Sequence, residues 1–155
     1  MILRSLFIVV TLTLLSGCGA GGAKFSGLEN PAKDMAQVYI YRPSAFVQSG
    51  NFPDVALDGK EIGQLKNGGF LRFNAPAGKH TISLSGNMMQ WIHRDANIPV
   101  TLKAGETNFY KLTVSMGGSG SGVNIGFGQV HGFGFVQITD ENVALKDLSE
   151  LNDSK

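Results

Sequence analysis

The sequence predicts an all-β domain, an antiparallel β-sandwich closed by a short C-terminal helix. Three observations carry that expectation. Short segments of alternating apolar and polar residues recur every 8–12 residues or so, the spacing of strands in sandwiches and barrels. Turn signals stand between them: Asp58-Gly59, Asn67-Gly68, Pro76-Ala77-Gly78 and Ala104-Gly105-Glu106. Glycine supplies 21 of the 155 residues, about twice its ordinary share, and no strand–helix–strand alternation of the kind that builds a parallel sheet is present.

The folded part is expected from Ala36. In "QVYIYRP", Val38 and Ile40 share one face and Tyr39 and Tyr41 the other, so both faces are apolar, as in a central strand, and Pro43 stops it. Residues 44–53 read as a loop. "DVALDGKEIGQL" is the clearest hairpin, because Asp58-Gly59 suits a two-residue turn in which both central residues take positive φ. Asn67-Gly68 offers the same chemistry ahead of "GFLRFNA". Pro76-Ala77-Gly78 then leads into "KHTISLS", with His80, Ile82 and Leu84 on one face.

Further along, "NIPVTLK" alternates Ile98, Val100 and Leu102 with polar neighbours, and "NFYKLTV" aligns Tyr110, Leu112 and Val114. Two unusual stretches stand in the second half of the chain. "SGNMMQWIHRDANIP" holds Met88, Met89, Trp91 and His93; it reads either as an edge loop packed on the sandwich or as an exposed docking surface, since Trp and Met are enriched at interface cores. "MGGSGSGVNIGFGQVHGFGFVQI" begins as a glycine-serine loop and continues as a strand over 125–138. Gly126, Gly128, Gly132 and Gly134 then fall on one face and Phe127, Phe133 and Phe135 on the other. A bare glycine face admits close approach by a neighbour, or leaves an edge open to association. Finally, "TDENVALKDLSEL" has Thr139 or Asp140 as N-cap and a narrow stripe of Ala144, Leu148 and Leu151, which predicts a short helix closing one end of the sandwich.

The N-terminus predicts how the domain is held. Residues 1–17 have a short start carrying Arg4 and an uncharged run, Leu6 to Leu15. That is the size of a signal-peptide apolar region and too short to span a bilayer, which takes about 20 residues. Leu15-Ser16-Gly17-Cys18 follows. It resembles, position for position, the lipobox of bacterial lipoprotein signal sequences, and the resemblance implies that Cys18 becomes the acylated N-terminus. A plain secretory signal, or an uncleaved anchor with an incidental cysteine, is the alternative. Stable anchoring takes more than one acyl chain, each buried methylene contributing about 0.8 kcal/mol, and the lipobox chemistry meets that need. Cys18 is the only cysteine, so no internal disulfide is available. By the same resemblance Gly19, in place of Asp, implies sorting to the outer membrane, facing the periplasm. Residues 18–35, rich in Gly, Ser, Pro and charge, read as a flexible tether, leaving 36–151 as the sandwich with its helix.

Charge excludes one class of partner. Without Arg4, the one charged residue of 1–17, the 13 basic residues become 12, against 12 acidic ones. A balanced surface has no electrostatic footprint for nucleic acid.

The set Tyr39, Tyr41, Arg42, Pro43, then Asp58, Gly59, Lys60, Gly63, then Pro76, Gly78, His80 resembles a bacterial family of small lipoproteins classed only as a domain of unknown function. It is also similar to short β-sandwich modules of envelope proteins, of immunoglobulin- or transthyretin-like architecture. The likeness spans about residues 36–115 and implies fold and localisation, with no reaction or ligand attached.

Catalytic spacings are missing from the chain. His80, His93 and His131 form no i, i+4 pair and stand near no carboxylate at metal-motif spacing, so no metal and no cofactor is expected. No nucleophile elbow occurs, and the Gly-x-Gly pairs lack the βαβ frame of a nucleotide site. The reading is a lipid-anchored binding or scaffolding module, not an enzyme, with the membrane as one partner and an envelope protein or cell-wall glycan as the other. The alternative is an enzyme of unrecognised type with its site around His80, Arg42 and Asp58.

Overall fold

Strand β1 (Met35–Arg42) runs through the middle of the molecule, and from Ala36 to Arg42 every residue is buried. Alternation explains how one strand is buried on both sides: Val38 and Ile40 point into one apolar layer, Tyr39 and Tyr41 into another. The computed structural model describes residues 19–46, 49–86, 95–114 and 133–155. Over these, β1 joins β4 (Gly69–Pro76), β7 (Thr107–Val114), β8 (Phe133–Ile138) and the short β9 (Asn152–Asp153) in a sheet ordered β8-β7-β1-β4-β9. A second sheet holds β2 (Asp54–Leu57), β3 (Lys60–Gln64), β5 (Gly78–Ser85) and β6 (Ala96–Leu102) in the order β3-β2-β5-β6.

Among the described residues the fold is an all-β sandwich with one short helix, as the sequence leads one to expect. Between the sheets lie Val38, Ile40, Leu71, Ile82, Leu84, Ile98, Val100, Tyr110 and Leu112. The alternation of β6 is visible in its burial, with Ile98, Val100 and Leu102 inside and Asn97, Pro99 and Thr101 outside. Pro99 is tolerated because β6 is an edge strand. On β8, Phe133 and Phe135 face the core, and the Phe135 ring stacks on Tyr110 at 5.5 Å. Gly134 faces the other way, where a Cβ would stand 2.7 Å from Thr113 Oγ1. Gly134 therefore admits a neighbouring side chain; Gly126, Gly128, Gly132 and Phe127 of the expected strand lie outside the described residues.

Four expectations need correction. The five-stranded sheet is mixed: β1 pairs antiparallel with β4 but parallel with β7. This is possible without a βαβ unit because the chain between β1 and β7 passes through the opposite sheet. Asn67-Gly68 is not a hairpin turn. Only Gly68 takes positive φ (66°), and the strands it separates, β3 and β4, lie in different sheets. The helix α1 (Glu141–Leu148) does not close an end of the sandwich but covers the outer face of the five-stranded sheet. Its Ala144 and Leu148, with Leu151, pack on Tyr39, Tyr41, Phe70 and Phe109. Asp140 is its N-cap, accepting from the Asn142 N–H at 2.9 Å. This helix is not long and apolar enough to cross a membrane.

The fourth correction concerns the tether. Residues 19–25 are bonded to the domain: the N–H groups of Ala20, Gly22 and Phe25 donate to the carbonyls of Asn67, Asp153 and Leu151, each at 3.0 Å. Phe25 packs edge-on against Tyr39 and Phe70, and Leu28 joins the same cluster. Low periodicity hid this, because the segment docks by main-chain bonds and two isolated apolar side chains rather than by an amphipathic face.

Candidate functional site

The hairpin of β2 and β3 is built as its dipeptide requires, with Asp58 at φ 50° and Gly59 at φ 79°. Positive φ at Asp58 turns its carboxylate back over the start of β5. There Oδ1 accepts the Thr81 N–H at 2.8 Å, and Oδ2 lies 2.6 Å from His80 Nδ1. The other ring nitrogen, Nε2, lies 2.9 Å from the Pro76 carbonyl oxygen. Pro76 ends β4 in one sheet and Gly78, at φ 144°, begins β5 in the other, so the chain changes sheets across Ala77. His80 bonds both sides of that corner to the hairpin tip.

Electrostatics at this corner follow from the bonds. Hydrogen bonding from His80 first, and from the Thr81 amide second, holds the Asp58 carboxyl below the usual carboxylate range. The His80 side chain is 11% exposed and that of Asp58 51%. Both ring nitrogens of His80 thus face protein oxygens. The geometry is that of a clamp.

The remaining residues of the set divide among other places. Gly63, at φ 149°, sits where β2 and β3 slip register, with the Leu71 methyl 3.2 Å from where a Cβ would be. Lys60 is exposed at the hairpin tip. Tyr39 accepts the Glu29 N–H at 3.2 Å and stacks on Phe109 at 5.7 Å. Tyr41 donates its hydroxyl to Asp147 Oδ2 at 3.1 Å, and Lys111 Nζ reaches the same oxygen at 2.7 Å. Burial above all, and then the Asp147 charge, push the Tyr41 phenol well up from its ordinary value. Arg42 is fully buried, which lowers its pKa, and donates to the Asn51 carbonyl, fixing the loop before Pro53; Pro43 follows it out of β1.

Arg42 is therefore not part of the His80–Asp58 corner. In the β1–β4 register Arg42 stands opposite Gly69 and Met35 opposite Pro76, so Arg42 and the Pro76 corner lie at opposite ends of β4, roughly 20–25 Å apart at strand rise. Met88, Met89, Trp91, His93 and His131 lie outside the described residues, as do Cys18 and residues 1–17.

One end of the molecule was not foreseen at all. Asn67 bonds through its main chain to Ala20, as above, and through Oδ1 to the Ala45 N–H at 2.9 Å. Gly69 lets the first of these segments close in, since a Cβ there would collide with Ser154 Oγ and stand 2.8 Å from that of Ala20. An Asn-Gly dipeptide signals a turn, and nothing local signals partners so far away in the chain.

Comparison with known proteins places these observations. Residues 32–126, more than half of the chain, match a family described as "Protein of unknown function (DUF2846)". The matched span contains Tyr39 through His80 and stops short of β8 and α1. A search of curated proteins returned no match. Among solved structures the chain is similar to the N-terminal domain of AlgF from P. aeruginosa, at 18% identity over 68% of this chain and 95% of that one, with a TM-score of 0.38.

Proposed function

Since the chain belongs to the DUF2846 family of proteins of unknown function, which supplies no activity, we propose from its own residues that it is a lipid-anchored binding or scaffolding module of the bacterial cell envelope. Acylated Cys18 holds it to the outer membrane, facing the periplasm. The observation that supports this most is the lipobox Leu15-Ser16-Gly17-Cys18 leading directly into a segment bonded to the sandwich from Ala20 onwards.

Binding is favoured over catalysis by the state of the His80–Asp58 pair. His80 and Asp58 are spent on holding a chain corner, and Arg42 is remote from both. The partner, an envelope protein or cell-wall glycan, falls by residue type to Met88, Met89, Trp91 and His93. Crosslinking in intact cells, followed by identification of what travels with the protein, tests the reading. A partner lost on Trp91→Ala with the fold intact supports it. A stable His80→Ala protein that keeps its partners and loses its cellular role would move the enzyme reading to first place.

A further inference from the structure

The end of the sandwich where the chain arrives from Cys18 is organised by Asn67. Its carbonyl accepts from Ala20 and its side chain from Ala45. One residue thus sets two segments side by side: the one that leads back to Cys18, and the one that carries Phe46. The next residue, Gly68, takes the positive φ of 66° that the backbone needs beside Ser44. Phe46, the next residue after Ala45, is 97% exposed. The other large hydrophobic exposed among the described residues, Val143, lies on α1 and is 46% exposed.

A phenyl ring in water forgoes the gain of burial, and apolar side chains such as Phe bury at the boundary between headgroups and acyl chains. We infer that Phe46 is a second membrane contact, seated in the interfacial layer of the bilayer that holds the acyl chains of Cys18, with Asn67 bonding the segment that follows Cys18 and the one that carries Phe46. This rests on the lipidation proposed above. The occupant is lipid because the exposed ring is presented by the same residue that holds the chain just after the acylation point. Acyl chains alone anchor a protein but leave it free to swivel. A ring seated beside them sets which face of the sandwich is turned to the bilayer and which is offered to a partner.

The test uses the mature, acylated, full-length protein carrying Trp91→Phe and Phe46→Trp, reconstituted into vesicles of phosphatidylethanolamine and phosphatidylglycerol. The added indole is then the only one, and so exposed a site accepts it. Its emission should shift to the blue and be quenched by lipids brominated in the upper acyl chain. Val143→Trp in the same background should keep the emission of an indole in water. Asn67→Ala should weaken the quenching at position 46. Acylation is read independently, from the mass of the N-terminal peptide. Unquenched Phe46→Trp emission in an acylated protein overturns the inference and leaves the anchor reading standing, as does emission that shifts only when envelope proteins are added. A protein without the acyl mass overturns both.

Discussion

His80 and Asp58 are bonded across a chain corner, Nδ1 to Oδ2 at 2.6 Å, with Pro76 holding the far side of the ring at 2.9 Å. Two residues 22 positions apart thereby lock a hairpin tip in one sheet to the exit of a strand in the other. The bond has a consequence in acid. The Asp58 carboxyl titrates lower in the folded chain than in the unfolded one. Its contribution is therefore complete above the ordinary carboxylate value, about 4, and is lost as pH falls through the lowered native value. The urea midpoint of the wild type should fall across that window, and Asp58→Asn should flatten the fall. Parallel acid limbs for the two proteins would contradict this.

Gly59→Val should cost about 1–3 kcal/mol, because a β-branched residue is strained at the φ of 79° that the turn requires. The loss should appear as a lower melting temperature with the far-ultraviolet spectrum preserved.

Gly22→Val tests the docked N-terminal segment. A Cβ at Gly22 would lie 2.5 Å from the Asp153 main-chain oxygen, so the segment must shift or detach. The expected cost is about 1–3 kcal/mol, the usual range for overpacking. Amide exchange should quicken at Ala20, Gly22 and Phe25 and not at Ile82, buried in the sandwich core.

Cys18→Ser should abolish incorporation of labelled palmitate while leaving the domain folded, since none of the described contacts needs the thiol. Continued labelling of the serine variant would place the acylation at another residue.

Trp91→Ala and His80→Ala separate binding from catalysis. The first should remove a partner in pull-downs from solubilised envelopes, at about 2 kcal/mol or more for an interface anchor, with an unchanged melt. The second should act only as far as it lowers stability.

The sandwich was legible from sequence because its strands carry their burial in their own alternation. Val38, Tyr39, Ile40 and Tyr41 announce a two-faced central strand, and Ile98, Val100 and Leu102 a strand with one dry face. Asp58-Gly59 announces its turn because positive φ at both positions is a local demand. What local pattern cannot carry is pairing at long range. That β7 lies parallel to β1, that Tyr41 meets Asp147 at a separation of 106 residues, and that Asn67 gathers Ala20 and Ala45 are decided by the assembled sheets. The His80–Asp58 contact sits between these cases: both residues stood out in sequence, but only the sheet-changing corner at Ala77 shows why a histidine is needed there.

The pairing of Gly22 and Phe25 with Asp153 and Leu151 also orders events in time. A chain threaded across a membrane from its N-terminus delivers residues 19–25 first and residues 151–153 last of all its folded elements. On the export proposed above, Gly22 and Phe25 could not make these bonds until Leu151 and Asp153 had crossed, so the stretch after Cys18 would stay incompletely docked and open to the enzymes that would acylate and cut there. Maturation and folding would then not compete for the same residues: the closing of the molecule waits for the completion of the chain.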